Sequence, residues 1–281
     1  STVVNVMQKI HAAFGDREIH VAVTGSGGLS VSSWLKIDFI QEVIASTKAV
    51  EAIIPDTDVA IELGGEDAKI TYFKGSVEQR MNGTCAGGTG AFIDQMAALL
   101  KTDAQGLNHL AENATYIYPI AARCGVFAKT DLQPLLNEGA RKEDLAASIF
   151  QAVVNQTISG LACGRKIEGK IAFLGGPLHF LPELRKRFIE TLHLTPEDIL
   201  EPENAELYVA LGAALSSEGN YPHQLNLLME RAGKLKDVFQ KEVHRLPALF
   251  QNEDDYQAFQ ERHHSARAIR KPLASHKGAA F

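Results

Sequence analysis

Two short apolar runs in this chain each end in a pair of glycines: DVAIELGG at 58–65 and KIAFLGGP at 170–177. A strand that stops on Gly-Gly lets its backbone come close to whatever lies beyond the strand end, because no Cβ stands in the way. In DVAIELGGED, carboxylates flank the turn at Glu62, Glu66 and Asp67. That arrangement suits phosphate approaching the N–H groups of Gly64 and Gly65 while an acid positions metal or water. A plain tight turn explains one such pair equally well. Two of them, Gly64-Gly65 and Gly175-Gly176, each on a strand–helix background, predict a nucleotide clamped in a cleft between lobes.

The wider pattern is α/β. IHVAVT at 19–24 reads as a strand ending in TGSGG, followed by a helix near 38–53 and the apolar run at 58–65, a βαβ signature. AKITYF at 68–73 and VEQRM at 77–81, around Lys74-Gly75-Ser76, read as a hairpin. Next come a helix carrying Cys85 to about Leu100, a helical piece near 104–113, the strand-like IYPIAAR at 117–123, a helix opening at Cys124 and an amphipathic helix around 141–162. Helices are also expected near 182–192 and at 204–217, where small residues at helical spacing predict close packing against a neighbour. Residues 1–217 therefore read as one α/β module. From Glu218 the composition turns to His, Gln, Lys and Glu, and 218–281 reads as a helical linker or docking segment. The closing KPLASHKGAAF carries no cap, and the chain is expected to stop mid-protein.

Composition excludes several function classes. At 281 residues, 45% hydrophobic and 22% charged, the chain can bury one large core or two joined by a hinge. A net charge of −6 with no Lys/Arg block interleaved with aromatics argues against a nucleic-acid partner. Apolar stretches broken by charge or glycine short of ~20 residues, and no signal-peptide pattern, argue against a membrane and for a cytoplasmic protein. Three cysteines make no disulfide framework and fit a reducing compartment.

Two of those cysteines stand at strand-to-helix junctions: Cys85 in NGTCAGGTGAFIDQMA and Cys124 in ARCGVFAKTDLQPLL. Unpaired N–H groups and the helix dipole stabilise a thiolate there, which suggests metal ligation. The alternative is a buried thiol acting as a small hydrophobe. Arg123 tunes such a site, holds a dimer or makes a surface salt bridge. Cys163, in NQTISGLACG, reads as core.

Taken in order, DVAIELGGEDAKI, the Cys85 segment, ARCGVFAKTD, IAFLGGP and the ALGAAL helix resemble the activator ATPases of 2-hydroxyacyl-CoA dehydratases and the related benzoyl-CoA reductase ATPase subunits, over roughly residues 20–217. The resemblance implies an actin/Hsp70/sugar-kinase-like (ribonuclease H-like) ATPase fold, here with an incomplete N-terminal lobe. It implies a 4Fe-4S cluster ligated by Cys85 and Cys124 and shared across a two-fold homodimer, so that two chains supply four thiolates. The helices beginning at Ala86 and Gly125 would face it with their positive ends. It further implies ATP/ADP with Mg²⁺: Gly64 and Gly65 near the β/γ-phosphates, Glu62, Glu66 and Asp67 orienting water or metal, and Gly175 and Gly176 lining the adenosine side. Lys69 would be a strand-face charge and no phosphate ligand. The activity implied is ATP-driven delivery of a low-potential electron to a 2-hydroxyacyl-CoA dehydratase-like or reductase partner, with ferredoxin or flavodoxin as donor.

Three features depart from that pattern. No first phosphate loop of the type G-x-D-x-G-S-T occurs, and only 57 residues precede DVAIELGG. Glu62 stands where many relatives place Asp. Ala45-Ser46 replaces the Cys-His pair that commonly follows the helix glutamate, here Glu42. The first departure supports an alternative reading, a nucleotide-binding regulatory or scaffold domain of a larger fusion without its own hydrolysis. A sugar or carboxylate kinase is disfavoured because no acceptor-site base is evident.

Overall fold

A computed structural model describes residues 2–82, 87–121, 125–234 and 248–268. The chain runs α1 (Thr2–Phe14), β1 (Glu18–Ile19), β2 (Ala22–Val23), α2 (Gly28–Leu35), β3 (Asp38–Phe39), α3 (Glu42–Ile53), β4 (Val59–Leu63), β5 (Ala68–Tyr72) and β6 (Glu78–Met81). It continues through α4 (Gly90–Leu99), α5 (Ala104–Ala111), α6 (Gly125–Asn137), α7 (Lys142–Thr157), β7 (Ile171–Leu174), α8 (Gly176–Phe180), α9 (Pro182–Leu192), β8 (Ile199–Leu200), α10 (Tyr208–Ser216), β9 (His223–Gln224), α11 (Leu225–Lys234) and α12 (Glu253–Ser265).

The central sheet has the order β6-β5-β4-β7-β8, with β4 antiparallel to β5 and parallel to β7. All five residues of β4 are buried, because helices cover both faces. Val59, Ile61 and Leu63 alternate onto one face and meet α4, α5, α7 and α9. Ala60 lies on the other with Ala172 and Leu174 of β7, under Ala49 and Val50 of α3 and Tyr208 of α10. Lys142–Ala162 is apolar and long enough by composition to cross a membrane. In this fold Leu145, Ile149, Phe150, Val153 and Val154 of that helix are fully buried in the sheet's core.

The close packing expected of 204–217 is present: a Cβ on Gly212 of α10 would sit 1.7 Å from the carbonyl oxygen of Ala45 in α3. The hairpin around Lys74-Gly75-Ser76 is also present as β5 and β6. Four expectations are corrected. The strand at 19–24 does not share a sheet with 58–65; β2 pairs in parallel with β3 in a separate two-stranded sheet across α2, a helix the sequence reading passed over. IYPIAAR is not a strand in its described part, because Pro119 has no N–H to give a ladder and Tyr118 N–H donates to Ser148 Oγ instead. Cys163 is exposed rather than core, in a left-handed backbone (φ 47°) at the end of a π-helical turn, Ile158–Ala162. Finally, residues 218–234, part of the segment expected as a helical linker or docking segment outside the module, lie within the compact unit.

The compact unit runs to Leu235, beyond the boundary expected at 217. Leu225, Leu228 and Ala232 of α11 are buried with Met7 of α1 and Leu35 and Ile37. The same end is tied down by β1 pairing with β9, by Leu225 N–H donating to Arg17 O and by Arg231 Nη1 donating to Leu35 O at 2.7 Å. Residues 236–281 form a second unit, whose described part is α12 capped by the Asn252 side chain.

Candidate functional site

Because β4 and β7 are adjacent and parallel, with Glu62 opposite Leu174, their glycine pairs emerge side by side at the same edge of the sheet. That is the carboxyl edge, where ligands bind in open α/β sheets. Although they come from distant parts of the sequence, both pairs lie on neighbouring strands of one sheet. Gly175 lies against the end of β4, since a Cβ on it would stand 2.1 Å from Leu63 O.

Within each pair the glycines divide the work. Gly64 N–H donates to Asp67 O at 2.7 Å and closes the turn, and Gly175, at φ +89°, is pressed against β4. Gly65 faces open space, with nothing within 4 Å of where its Cβ would be, and Gly176 would meet only the Phe180 ring at 3.9 Å. Those two are the positions at which a ligand can reach bare backbone. The N-terminus of α4 sits on the first turn: Gly90 N–H donates to Gly64 O at 3.0 Å and Ala91 N–H to Gly65 O at 2.7 Å. Beside it a cavity of about 220 Å³ opens, lined by Gly90, Ile93, Asp94, Gln105, Gly176 and Phe180 among others. A larger cavity, about 290 Å³ between α5, α7 and α9, includes neither glycine pair, and its Lys186 and Arg187 are already paired with Glu183 and Glu190.

Of the three acids flanking the turn, Glu66 and Asp67 lie in it, and Glu62 lies on β4, two residues before it. Asn82, just after β6, supports the turn, its Oδ1 accepting from Ala68 N–H at 2.7 Å. Glu62 is 6% exposed and has both oxygens engaged. Oε1 accepts from Lys69 Nζ at 3.0 Å and Oε2 from Ser46 Oγ at 2.6 Å. Lys69 is its direct cross-strand partner and is 2% exposed, with a second bond from Nζ to Glu42 Oε1 at 2.7 Å. Rather than an ordinary strand-face charge, Lys69 is buried and paired with two carboxylates. Burial alone would lower the Lys69 pKa; the Glu62 charge and hydrogen bonds to Glu42 and Glu62 outweigh it and hold the ammonium above its ordinary 10.5. Sequence reading missed this cluster, although Glu42 and Ser46 stand four apart on one face of a helix, a spacing that could have suggested it.

Cys85, Ala86, Arg123 and Cys124 lie outside the described residues. Two facts bear on their neighbourhood. Gly87–Thr89 is turn, so the helix expected from Ala86 begins only at Gly90, and its first donors serve the glycine turn. On the other side, the described part of the following helix, α6, spans Gly125–Asn137. Among the described residues no group of three or more His, Cys, Asp or Glu side chains could hold a metal ion.

A sheet covered by helices on both faces, with glycine turns at its carboxyl edge, is the core of the actin/Hsp70-like ATPase fold. The model of the BadF/BadG/BcrA/BcrD ATPase family matches residues 2–217, and the chain belongs to that family. It is 32% identical over 200 residues to the 2-hydroxyisocaproyl-CoA dehydratase activator of Clostridioides difficile, covering 69% of this chain and 72% of that one. It is 29% identical over 199 residues to the activator of lactoyl-CoA dehydratase of Anaerotignum propionicum, covering 70% and 74%. Among solved structures it resembles the activator of the 2-hydroxyisocaproyl-CoA dehydratase from Clostridium difficile with bound ADPNP (TM-score 0.65, 26% identity, 85% of each chain).

Proposed function

We propose that this chain is an ATP-dependent activator that passes a low-potential electron to a 2-hydroxyacyl-CoA dehydratase or a related reductase. The observation that carries the reading is the pair of glycine turns side by side on β4 and β7, each with one glycine open to a ligand. Gly65 would admit the β/γ-phosphates, with Gly64 shaping the turn. Glu66 and Asp67 would orient the hydrated Mg²⁺ or the attacking water. Gly175 and Gly176, with the cavity lined by Ile93 and Phe180, would take the adenosine side. Similarity to an activator that binds ADPNP supports this placement.

The donor set fits a 4Fe-4S cluster: two thiols per chain, doubled in a homodimer, meet its need for four thiolates. Cys85 and Cys124 would hold it, and when bound it supplies a one-electron donor of low potential. Val126 and Phe127, in the first turn of α6, are 68% and 56% exposed and offer apolar surface for pairing of two chains beside Cys124. The dehydratase-like partner follows from the activators it resembles; ferredoxin or flavodoxin and a cytoplasmic setting belong to the same proposal.

The competing reading, a nucleotide-binding module without hydrolysis, draws on Glu62, whose two oxygens are both engaged. Calorimetry with ADP and a turnover assay with ATP separate the readings. An activator binds ADP and releases phosphate; a regulatory module binds without turnover, and a scaffold does neither. Anaerobic reconstitution with iron and sulfide tests the cluster: the activator reading requires broad charge-transfer absorption that both Cys85→Ala and Cys124→Ala abolish.

A further inference from the structure

The buried ammonium of Lys69 sits between two carboxylates from different parts of the fold. Glu62 lies two residues before the Gly64–Asp67 turn on β4, and Lys69 lies two residues after it on β5, so the pair closes the stem of the turn. The other two members of the cluster, Glu42 and Ser46, stand on successive turns of α3 and reach the same stem, one through Lys69 Nζ and the other through Glu62 Oε2. The first two turns of α3 are thus fastened to both strands that carry the turn.

The next link is steric. Helix α3 lies so close to α10 at Ala45 and Gly212 that a single added carbon would overlap the backbone, so the two helices move together or separate altogether. Charge makes the fastening directional: a lone ammonium with two carboxylates carries one excess negative charge, and Glu42, 31% exposed, is the member able to leave for solvent.

We propose that Lys69, held between Glu62 and Glu42, is a positioning residue that fastens the Gly64–Asp67 turn to α3, so that a nucleotide phosphate on the turn is felt by the α3–α10 pair. This rests on the reading of the turn as a nucleotide site. It gives the cluster a role apart from water or metal binding, and it explains why the acid at position 62 is fully engaged.

The test is hydrogen exchange on the full chain with and without ADP and Mg²⁺. In the unmodified protein ADP slows exchange at 64–67 and, by about tenfold, in α3 and α10. The double variant E42A/S46A cuts α3 loose while leaving the Glu62–Lys69 pair neutral, and it retains slowing at 64–67 but loses it in α3 and α10 to within about twofold. A purely structural role would change exchange equally with and without ADP. Lys69→Met gives the same result from the strand side; E42A/S46A stands alone if that variant does not fold. Slowing of α3 that survives in E42A/S46A, or that never accompanies slowing at 64–67 in the unmodified protein, overturns the inference alone. No slowing at 64–67 in the unmodified protein overturns the nucleotide reading and the inference with it.

Discussion

The glycine pairs show how much a single residue can carry and how differently two neighbours carry it. Gly175 is held at φ +89° with a would-be Cβ 2.1 Å from Leu63 O, so Gly175→Ala forces the β4–β7 seam apart. It should lower stability by about 3 kcal/mol, read from urea unfolding. Gly65 has open space and an unstrained backbone, so Gly65→Ala should unfold within about 0.5 kcal/mol of the parent while weakening ADP binding at least about tenfold by calorimetry. Equal destabilisation by both would contradict the division of roles. The pairs themselves were legible in the sequence, because a strand ending in Gly-Gly is a local signal. Which glycine of each pair is structural was not, since that depends on the neighbouring strand. Lys69 likewise looked like an ordinary strand-face charge because the carboxylate of Glu42 comes from 27 positions away.

Elements were read best where their own periodicity decides the matter and worst where the partner does. The small residues of α10 foretold its contact with α3, and Gly212→Val should cost about 3 kcal/mol or more, because Ala45 O occupies the space the side chain needs. The segment after α5 was misread because its extended shape is held by side chains of α7 rather than by a ladder. Asp144, 4% exposed in the first turn of α7, accepts from Thr115 N–H at 2.7 Å and Tyr116 N–H at 3.0 Å. The Thr115 N–H, outweighing burial and joined by the Tyr116 N–H and Arg141, holds its carboxyl below the ordinary 3.8. A depressed pKa stabilises the fold above the unfolded value and ceases to do so as pH falls through the folded one. Asp144→Asn should therefore cost about 2 kcal/mol near neutrality. That gap should narrow as pH drops below 3.8, measured by thermal melts along a pH series. A gap independent of pH would mean that the charge of Asp144 is irrelevant to the loop.

For the molecule as a whole, the sequence disclosed the family and the α/β class, while the extent of the compact unit emerged only from the fold. Composition made 218–281 look like a helical linker or docking segment outside the module, yet Leu225, Leu228 and Ala232 recur at the spacing of a core-facing helix and bury against α1 and α2. The two cysteines that give the proposal its chemistry were equally visible as motifs. The proposal has them converge only in an assembly of two chains. The measurement that bears most directly on it is native mass spectrometry with iron and sulfide analysis of anaerobically prepared protein. The proposal predicts a pair of chains carrying one 4Fe-4S cluster, about four iron atoms per pair, lost together in Cys85→Ala and in Cys124→Ala. An iron-free pair, or iron retained when both cysteines are replaced, would contradict it.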